Sequence, residues 1–531
     1  MFDSLLWLKE SKIRNIDMGV IKDLNLHIIY KKLIEMSKEN ESLIYKLCMD
    51  EATIKYRQDI IADFMENPDF ILDLENNLKG FWELKSKNGK LNNNLTNLYF
   101  LIDLVITVEA SINCVESLNQ TLLYYKPSSI GLNKLKDNIA SIINKNKFKQ
   151  MKKDLKEIRY IFSKIKGVEL SINMSPVMRP YEAQVTQVSE YKYRYPKAFR
   201  KVSTAIEVNE KFLGTYLKNY APVFSISKIN WDLLDEIEHG LKEHKGILRS
   251  FMEKYTKIDT EPFISLLREI TFYKSSCDLL KLMKANDLPL CKPMILPSDR
   301  KELNVSDCYN ISLAYNMLST IDEKHVSPEI IYNDFKMGQE GRVIILTGAN
   351  RGGKTTFTQA IGQIQILAQL GLMIPASKAE LSLVDGVYTH FPLLEKETVN
   401  LGKFGKECED FSRLFKQATD RSLILLNESF SGTSHLESLK IAEEVVRAVK
   451  FKEIRMIYNT HLHELGIMAS QINEESENDT LVISLVAGFS NGRNTYKIYE
   501  GQPLGVSHAK EIAEKYNVTY AQLVERLEEK T

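Results

Sequence analysis

The sequence predicts two structural regions: a C-terminal α/β domain over about residues 299–531, preceded by a mainly α-helical domain over residues 1–298 with a small strand-containing insertion at about 167–225. Three observations support this. After about residue 340, apolar β-type runs alternate with helical stretches, as a partly parallel sheet requires. A G-x-x-x-x-G-K-T loop joins one of these runs to a helix. Up to about residue 170, only Pro68 and Pro127 interrupt stretches in which apolar residues recur at three- and four-residue spacing.

At 531 residues the chain exceeds what one hydrophobic core serves, so several domains are expected. Hydrophobic residues at 44% and charged residues at 26% are ordinary for a folded chain and exclude wholesale disorder or a fibrous class. Lys+Arg and Asp+Glu balance at 70 each, so binding to nucleic acid must rest on local basic faces rather than bulk charge. Six scattered cysteines (Cys48, Cys114, Cys277, Cys291, Cys308, Cys408) form no C-x-x-C pair and read as reduced thiols. The N-terminal MFDSLLWLKESKIRN has neither the basic segment nor the small-residue cleavage site of a signal peptide. No window approaches the roughly 18 uncharged apolar residues needed to cross a bilayer. The expectation is a cytoplasmic protein with no membrane partner.

The helical texture is plain in Leu98, Phe100, Leu101, Leu104 and Val105. It breaks between about Lys166 and Phe224, where Pro176, Pro180, Pro196 and Pro222 accompany alternating stretches such as YEAQVTQVSEYKYRY; this is the predicted insertion. Helical periodicity returns from Trp231 to about Ala285, and Pro289, Pro293 and Pro297 then mark a domain boundary. Beyond it the order is RVIILTG and a helix from Lys354, SLILLNE and a helix from His435, IRMIYNTH, and the strand-like LVISLV and NTYKIYE.

Gly348, Ala349, Asn350, Arg351, Gly352, Gly353, Lys354 and Thr355, followed by Thr356, lie directly between VIILT and the helical TFTQAIGQIQILAQL. Glycines let the backbone curl until successive N–H groups face an anion, and the helix N-terminus adds its positive end at the same point. Lys354 is expected to reach the β- and γ-phosphates of ATP, and the Thr355 hydroxyl to coordinate Mg²⁺. A glycine-rich turn that happens to carry a lysine is the bland alternative, which the flanking strand and helix disfavour.

About 75 residues later, Leu423–Leu426 runs into Asn427 and Glu428, where P-loop ATPases ordinarily carry Asp-Glu. Glu428 is expected to orient, or take a proton from, the water attacking the γ-phosphate. Asn427 still offers an oxygen to Mg²⁺-bound water but brings no charge, so weaker Mg²⁺ binding and slow hydrolysis are expected. A third strand leads to His461, which reads either as a contact to the γ-phosphate or attacking water, or as a structural histidine; His463 is the weaker candidate.

Two basic stretches are candidates for DNA backbone contact. Lys145, Lys147, Lys149, Lys152, Lys153, Lys156 and Arg159 form one helix face, which reads equally as a solvated lysine-rich surface. The aromatic-interleaved YKYRYPKAFRK supplies Lys192, Arg194, Lys197, Arg200 and Lys201 within the predicted insertion, where cations can neutralise phosphates and tyrosines pack on sugars or bases.

Four segments in order, Thr347–Thr356 (TGANRGGKTT), Gly371–Ala376 (GLMIPA), Leu425–Ser434 (LLNESFSGTS) and Asn459–Leu465 (NTHLHEL), together resemble the ATPase domain of the DNA mismatch repair MutS family. Tyr496, Lys497, Gly501, Gly505, Ser507 and HAKEIAEKYN resemble its closing segment, and YRQDIIADFMENPDF around Arg57 and Gln58 its helical core. The resemblance implies an ABC-type ATPase, a homodimer with two nucleotide sites across the ATPase interface, and helical levers and clamps that close on duplex or branched DNA. It places Asn427 and Glu428 at the Walker B positions, His461 at the switch position, and Gly432, Thr433 and Ser434 in the loop that touches the opposite site. Departures are Ser431 where an arginine usually precedes that Gly-Thr, and no Gly-x-Ser-Thr-Phe signature in NLGKFGKECEDFSRLF. Phe81-Trp82-Glu83 has the form of the family's Phe-x-Glu mismatch wedge but follows the core segment, which argues against that role.

The leading expectation is therefore a sensor or clamp on mismatched, branched or distorted DNA in repair or recombination. The alternative is a nucleotide-gated dimeric scaffold with little hydrolysis, whose client is another protein. A transporter or chromosome-structuring ATPase fits less well, lacking a Ser-Gly-Gly-Gln signature and a long coiled coil between the nucleotide motifs.

Overall fold

The runs Val343–Thr347, Leu423–Asn427 and Arg455–Asn459 are buried along their whole length, as strands covered on both faces are. In the computed structural model, which describes residues 3–34, 45–88, 98–177, 180–192, 245–255, 259–319, 329–391, 402–475, 478–490, 493–503 and 517–528, they lie side by side in one sheet. In chain order its elements are β1 (Val343–Thr347), α1 (Lys354–Gln369), β2 (Val387–His390), α2 (Lys403–Gln417), β3 (Leu423–Asn427), α3 (His435–Phe451), β4 (Arg455–Asn459), β5 (Val482–Ser490) and β6 (Arg493–Glu500). The spatial order is β2-β3-β4-β1-β5-β6, parallel throughout except for the β5–β6 pair. On one face, Val343, Ile345, Ile424, Leu426 and Met456 pack with Ala442, Val446 and Val449 of α3. A second sheet carries Met294–Leu296, Lys378–Ser382, Leu303–Cys308 and Asn333–Met337 in that spatial order.

Helix α1 is buried from Phe357 to Gln369, four glutamines included. Buried amides require partners, and these find them far away in sequence. Gln359 Nε2 donates to the Asp23 carbonyl (2.7 Å), Gln363 Nε2 to that of Leu24 (2.7 Å) and Gln369 Nε2 to that of Cys48 (3.1 Å). The N-terminal residues are thus built around the phosphate-loop helix. Accordingly the chain divides into one compact unit of residues 3–71, 127–132 and 268–531 and another of 72–126 and 133–267. None of the boundaries between the units falls at residue 298; the polar side of α1 is completed by residues before 50 rather than by solvent.

In the second unit, the helix Asn146–Lys164 buries Phe148, Leu155, Ile158 and Ile161 on one side. Lys152 and Arg159 of its basic face form ion pairs with Glu116 and Glu109, whereas Lys145, Lys147, Lys149, Lys153 and Lys156 are exposed. Gly167–Met174 and Pro180–Ser189 form an antiparallel pair, so the predicted insertion does begin with strands. Lys192 is described after this pair; Arg194, Lys197, Arg200 and Lys201 lie outside the described residues. Phe81 sits in the helix Pro68–Asn88, 1% exposed and stacked on Phe263 at 4.0 Å, which makes it a core residue with no face for a base. No helix among the described residues is long and apolar enough to cross a membrane.

Candidate nucleotide-binding site

The loop from Gly348 to Lys354 leaves β1 at the carboxyl ends of the parallel strands, where open α/β sheets bind ligands. It turns sharply, with positive φ at Gly348 (130°), Arg351 (61°) and Gly353 (87°). A side chain at Gly348 would be strained in conformation and would place its Cβ 2.8 Å from the Ala487 Cβ, so the sequence needs glycine there. Lys354 is 4% exposed, and its Nζ donates to the Gly348 and Ala349 carbonyls at 2.9 and 3.1 Å. Burial pushes its amine below the ordinary lysine range, against the opposing pull of the Glu428 charge.

Strands β3 and β4 bring the second part of the site to the same end of the sheet, with Asn427 and Asn459 directly paired in register. The Thr355 hydroxyl donates to Asn427 Oδ1 at 2.8 Å. Asn459 Nδ2 lies in hydrogen-bond contact with the same Asn427 oxygen and 3.2 Å from the Thr355 Oγ1. Glu428, the next residue, adopts φ 51°, a left-handed conformation unusual for glutamate, and its N–H is held by the Asn459 carbonyl at 2.8 Å. His461 Nε2 is 2.8 Å from Glu428 Oε1, and both side chains are 39% exposed, so the couple is open to water.

Loop, Glu428 and His461 share one cavity of about 470 Å³ with Tyr309, Asn310, Met317, Ile331 and Tyr496. The sequence alone did not assign these five to the site; Tyr496 stood out only as part of the closing segment. Tyr309 follows the second sheet's Leu303–Cys308 strand, and Tyr496 belongs to β6, where its Cδ1 would lie 3.3 Å from a Cβ on Gly353. Its backbone is held by Asn333, whose Nδ2 donates to the Tyr496 carbonyl at 3.2 Å. Tyr309, Met317 and Ile331 give the cavity an aromatic and apolar lining alongside the loop, the kind of surface on which a base packs.

Gly432, Thr433 and Ser434 form the turn into α3. Ser434 caps it by accepting from the Glu437 N–H, and Thr433 and Ser434 both donate to the Glu437 carboxylate, a capping box. Helix α2 occupies the stretch without a signature serine; its buried Glu407 accepts the Gly432 N–H at 3.4 Å.

The sheet order, the glycine loop and the strand-end Glu–His couple define the class, a P-loop nucleotide-binding fold. Comparison with known proteins gives the family: residues 344–519 match the model of MutS domain V, and residues 49–285 that of the MutS2 N-terminal domain. The chain belongs to the MutS family. It is 27% identical over 403 residues to the DNA mismatch repair protein MutS of Prochlorococcus marinus (strain MIT 9301), covering 72% of this chain and 40% of that protein. With the protein of the same name from Clostridium kluyveri (strain NBRC 12016) the identity is 25% over 497 residues, covering 88% of this chain and 54% of that one. A shorter match, 34% over 194 residues, links it to the MutS of another Prochlorococcus marinus strain, covering 36% of this chain and 21% of that one. The chain therefore spans about half, or less, of the length of these relatives.

Proposed function

We propose that the chain is an ABC-type ATPase that binds ATP with Mg²⁺ and acts as a dimeric sensor or clamp on mismatched, branched or distorted DNA. The single observation that carries this reading is one cavity holding both the phosphate loop and the Glu428–His461 couple. Gly348–Thr356 holds the phosphates, with Lys354 released from the Gly348 and Ala349 carbonyls to meet them. Glu428 receives a proton from the attacking water, and His461, bonded to Glu428, holds that carboxylate or the water in place. Tyr309, Ile331 and Tyr496 enclose the base.

The donor set fits a Mg²⁺ ion carried by the nucleotide: the Thr355 hydroxyl and Asn427 amide oxygen are 2.8 Å apart, and both are hard oxygens. When bound, the ion neutralises charge on the phosphates, which supply the negative ligands these two neutral groups lack. Asn427→Asp restores a carboxylate, so the Mg²⁺ concentration needed for half-maximal ATP binding is expected to fall about tenfold. An unchanged or higher requirement in a Mg²⁺ titration would count against Asn427 at this position.

Lys192 and, beyond the described residues, Arg194, Lys197, Arg200 and Lys201 are the proposed DNA contacts, with the exposed lysines of Asn146–Lys164 as a second basic face. The test is ATP turnover and DNA retention by wild type and Lys354→Ala, with forked, mismatched and linear duplexes at several salt concentrations. Lys354→Ala is expected to lose nucleotide-dependent changes in DNA binding. Equal retention of all duplexes under every nucleotide condition would end the sensor reading.

The two neutral groups at the metal position also favour a second reading, a nucleotide-gated scaffold with little hydrolysis and a protein client. Turnover of an ordinary P-loop ATPase, abolished by Glu428→Gln, would exclude it.

A further inference from the structure

Asn459 carries no chemistry in the motif reading, where it merely precedes Thr460 and His461. In the structure it is fully buried at the end of β4, and one residue reaches three members of the site. Its carbonyl accepts the Glu428 N–H at 2.8 Å; its Nδ2 donates to Asn427 Oδ1 and lies 3.2 Å from Thr355 Oγ1. Its own Oδ1 is buried with no hydrogen-bond partner among the described residues. The opposite orientation would set two acceptor oxygens against each other at Asn427. The amide therefore directs its donors into the Thr355–Asn427 pair and leaves its oxygen unmatched.

A carboxylate at position 427 would have two equivalent oxygens and no wrong way round. An amide has a donor end and an acceptor end, and only the acceptor end suits a hydroxyl donor and a hydrated cation. We propose that Asn459 is a positioning residue of the nucleotide–Mg²⁺ site: its donation locks the Asn427 amide with the oxygen towards Thr355, so that two amides do together what a carboxylate does alone. This deepens the proposed ATP- and Mg²⁺-binding function and rests on it.

The test is binding of a fluorescent ATP analogue, in EDTA and along a Mg²⁺ titration, by wild type, Asn459→Ala, Asn427→Asp and the double variant. Binding in EDTA gives each variant its metal-free reference, and circular dichroism shows that all four are folded. Asn459→Ala should raise the half-saturating Mg²⁺ concentration about five- to tenfold, as loss of one buried orienting hydrogen bond does. In the Asn427→Asp background the same change should shift it less than about twofold, since a carboxylate needs no lock. Should Asn459→Ala lose EDTA binding that wild type retains, Asn459→Val, which keeps bulk and strand propensity without a donor, is read the same way. Equal shifts in both backgrounds, or none in either, would overturn the proposal. No analogue binding by wild type under any condition would instead remove the nucleotide-binding reading itself.

Discussion

Replacing Glu428 with glutamine is expected to lower ATP turnover by about 10²–10³-fold while leaving ATP affinity within about threefold. The substitution keeps the shape and the hydrogen bond to His461 but removes the carboxylate's capacity to take a proton. Its 2.8 Å contact with His461 and its exposure of 39% put that carboxylate where water reaches it, beside the loop that ends in Lys354. The left-handed backbone at Glu428 aims it there, and the Asn459 carbonyl holds its N–H. A glutamine that fills the same space should therefore trap the ATP-bound state rather than empty the site. The measurement is single-turnover hydrolysis beside equilibrium binding. A loss of binding in step with turnover would mean that Glu428 holds the nucleotide rather than its water.

Much of this site was legible because its parts are local. VIILT, LILLN and RMIYN read as buried strands from composition alone, and the phosphate loop needed only its two flanks. What stayed hidden depends on register and on distant partners. Nothing in the spacing of Asn427 and Asn459 says that they face each other; the parallel pairing of β3 with β4 does. Tyr309, Ile331 and Tyr496 converge from three separate segments with no shared motif. Gln359, Gln363 and Gln369 look like the wet side of an amphipathic helix, yet all three are buried against carbonyls of residues 23, 24 and 48. For that reason a boundary read from prolines near residue 298 separates residues that fold together.

Arg57→Met is expected to destabilise the phosphate-loop unit by roughly 2–4 kcal/mol, the range for breaking a buried charged hydrogen-bond network. Arg57 is 1% exposed; its Nε donates to the Leu6 carbonyl at 2.8 Å and its Nη1 to the Leu370 carbonyl at 3.0 Å. Leu370 ends α1, so the guanidinium places a positive charge at the helix's negative end, opposite the end that carries the phosphate loop. The Trp7 ring lies 4.0 Å from the guanidinium carbon, and Gly371, at φ 75°, leaves no room for a side chain, since a Cβ there would lie 2.7 Å from that of Arg57. Methionine fills much of the volume but leaves both carbonyls without this donor. A second signature follows from Glu269, which accepts from the Ser4 hydroxyl and the Leu5 N–H. Burial raises its carboxyl above the ordinary value of 4.5, and Arg57 partly offsets the rise. Without Arg57 the folded-state value climbs further above the unfolded one, so folded Glu269 holds its proton over a wider range and stability falls as pH rises through that window. The loss in chemical denaturation should therefore be larger at about pH 7.5 than at about pH 5. A loss below about 1 kcal/mol, or one independent of pH, would show that the helix end is satisfied without this arginine.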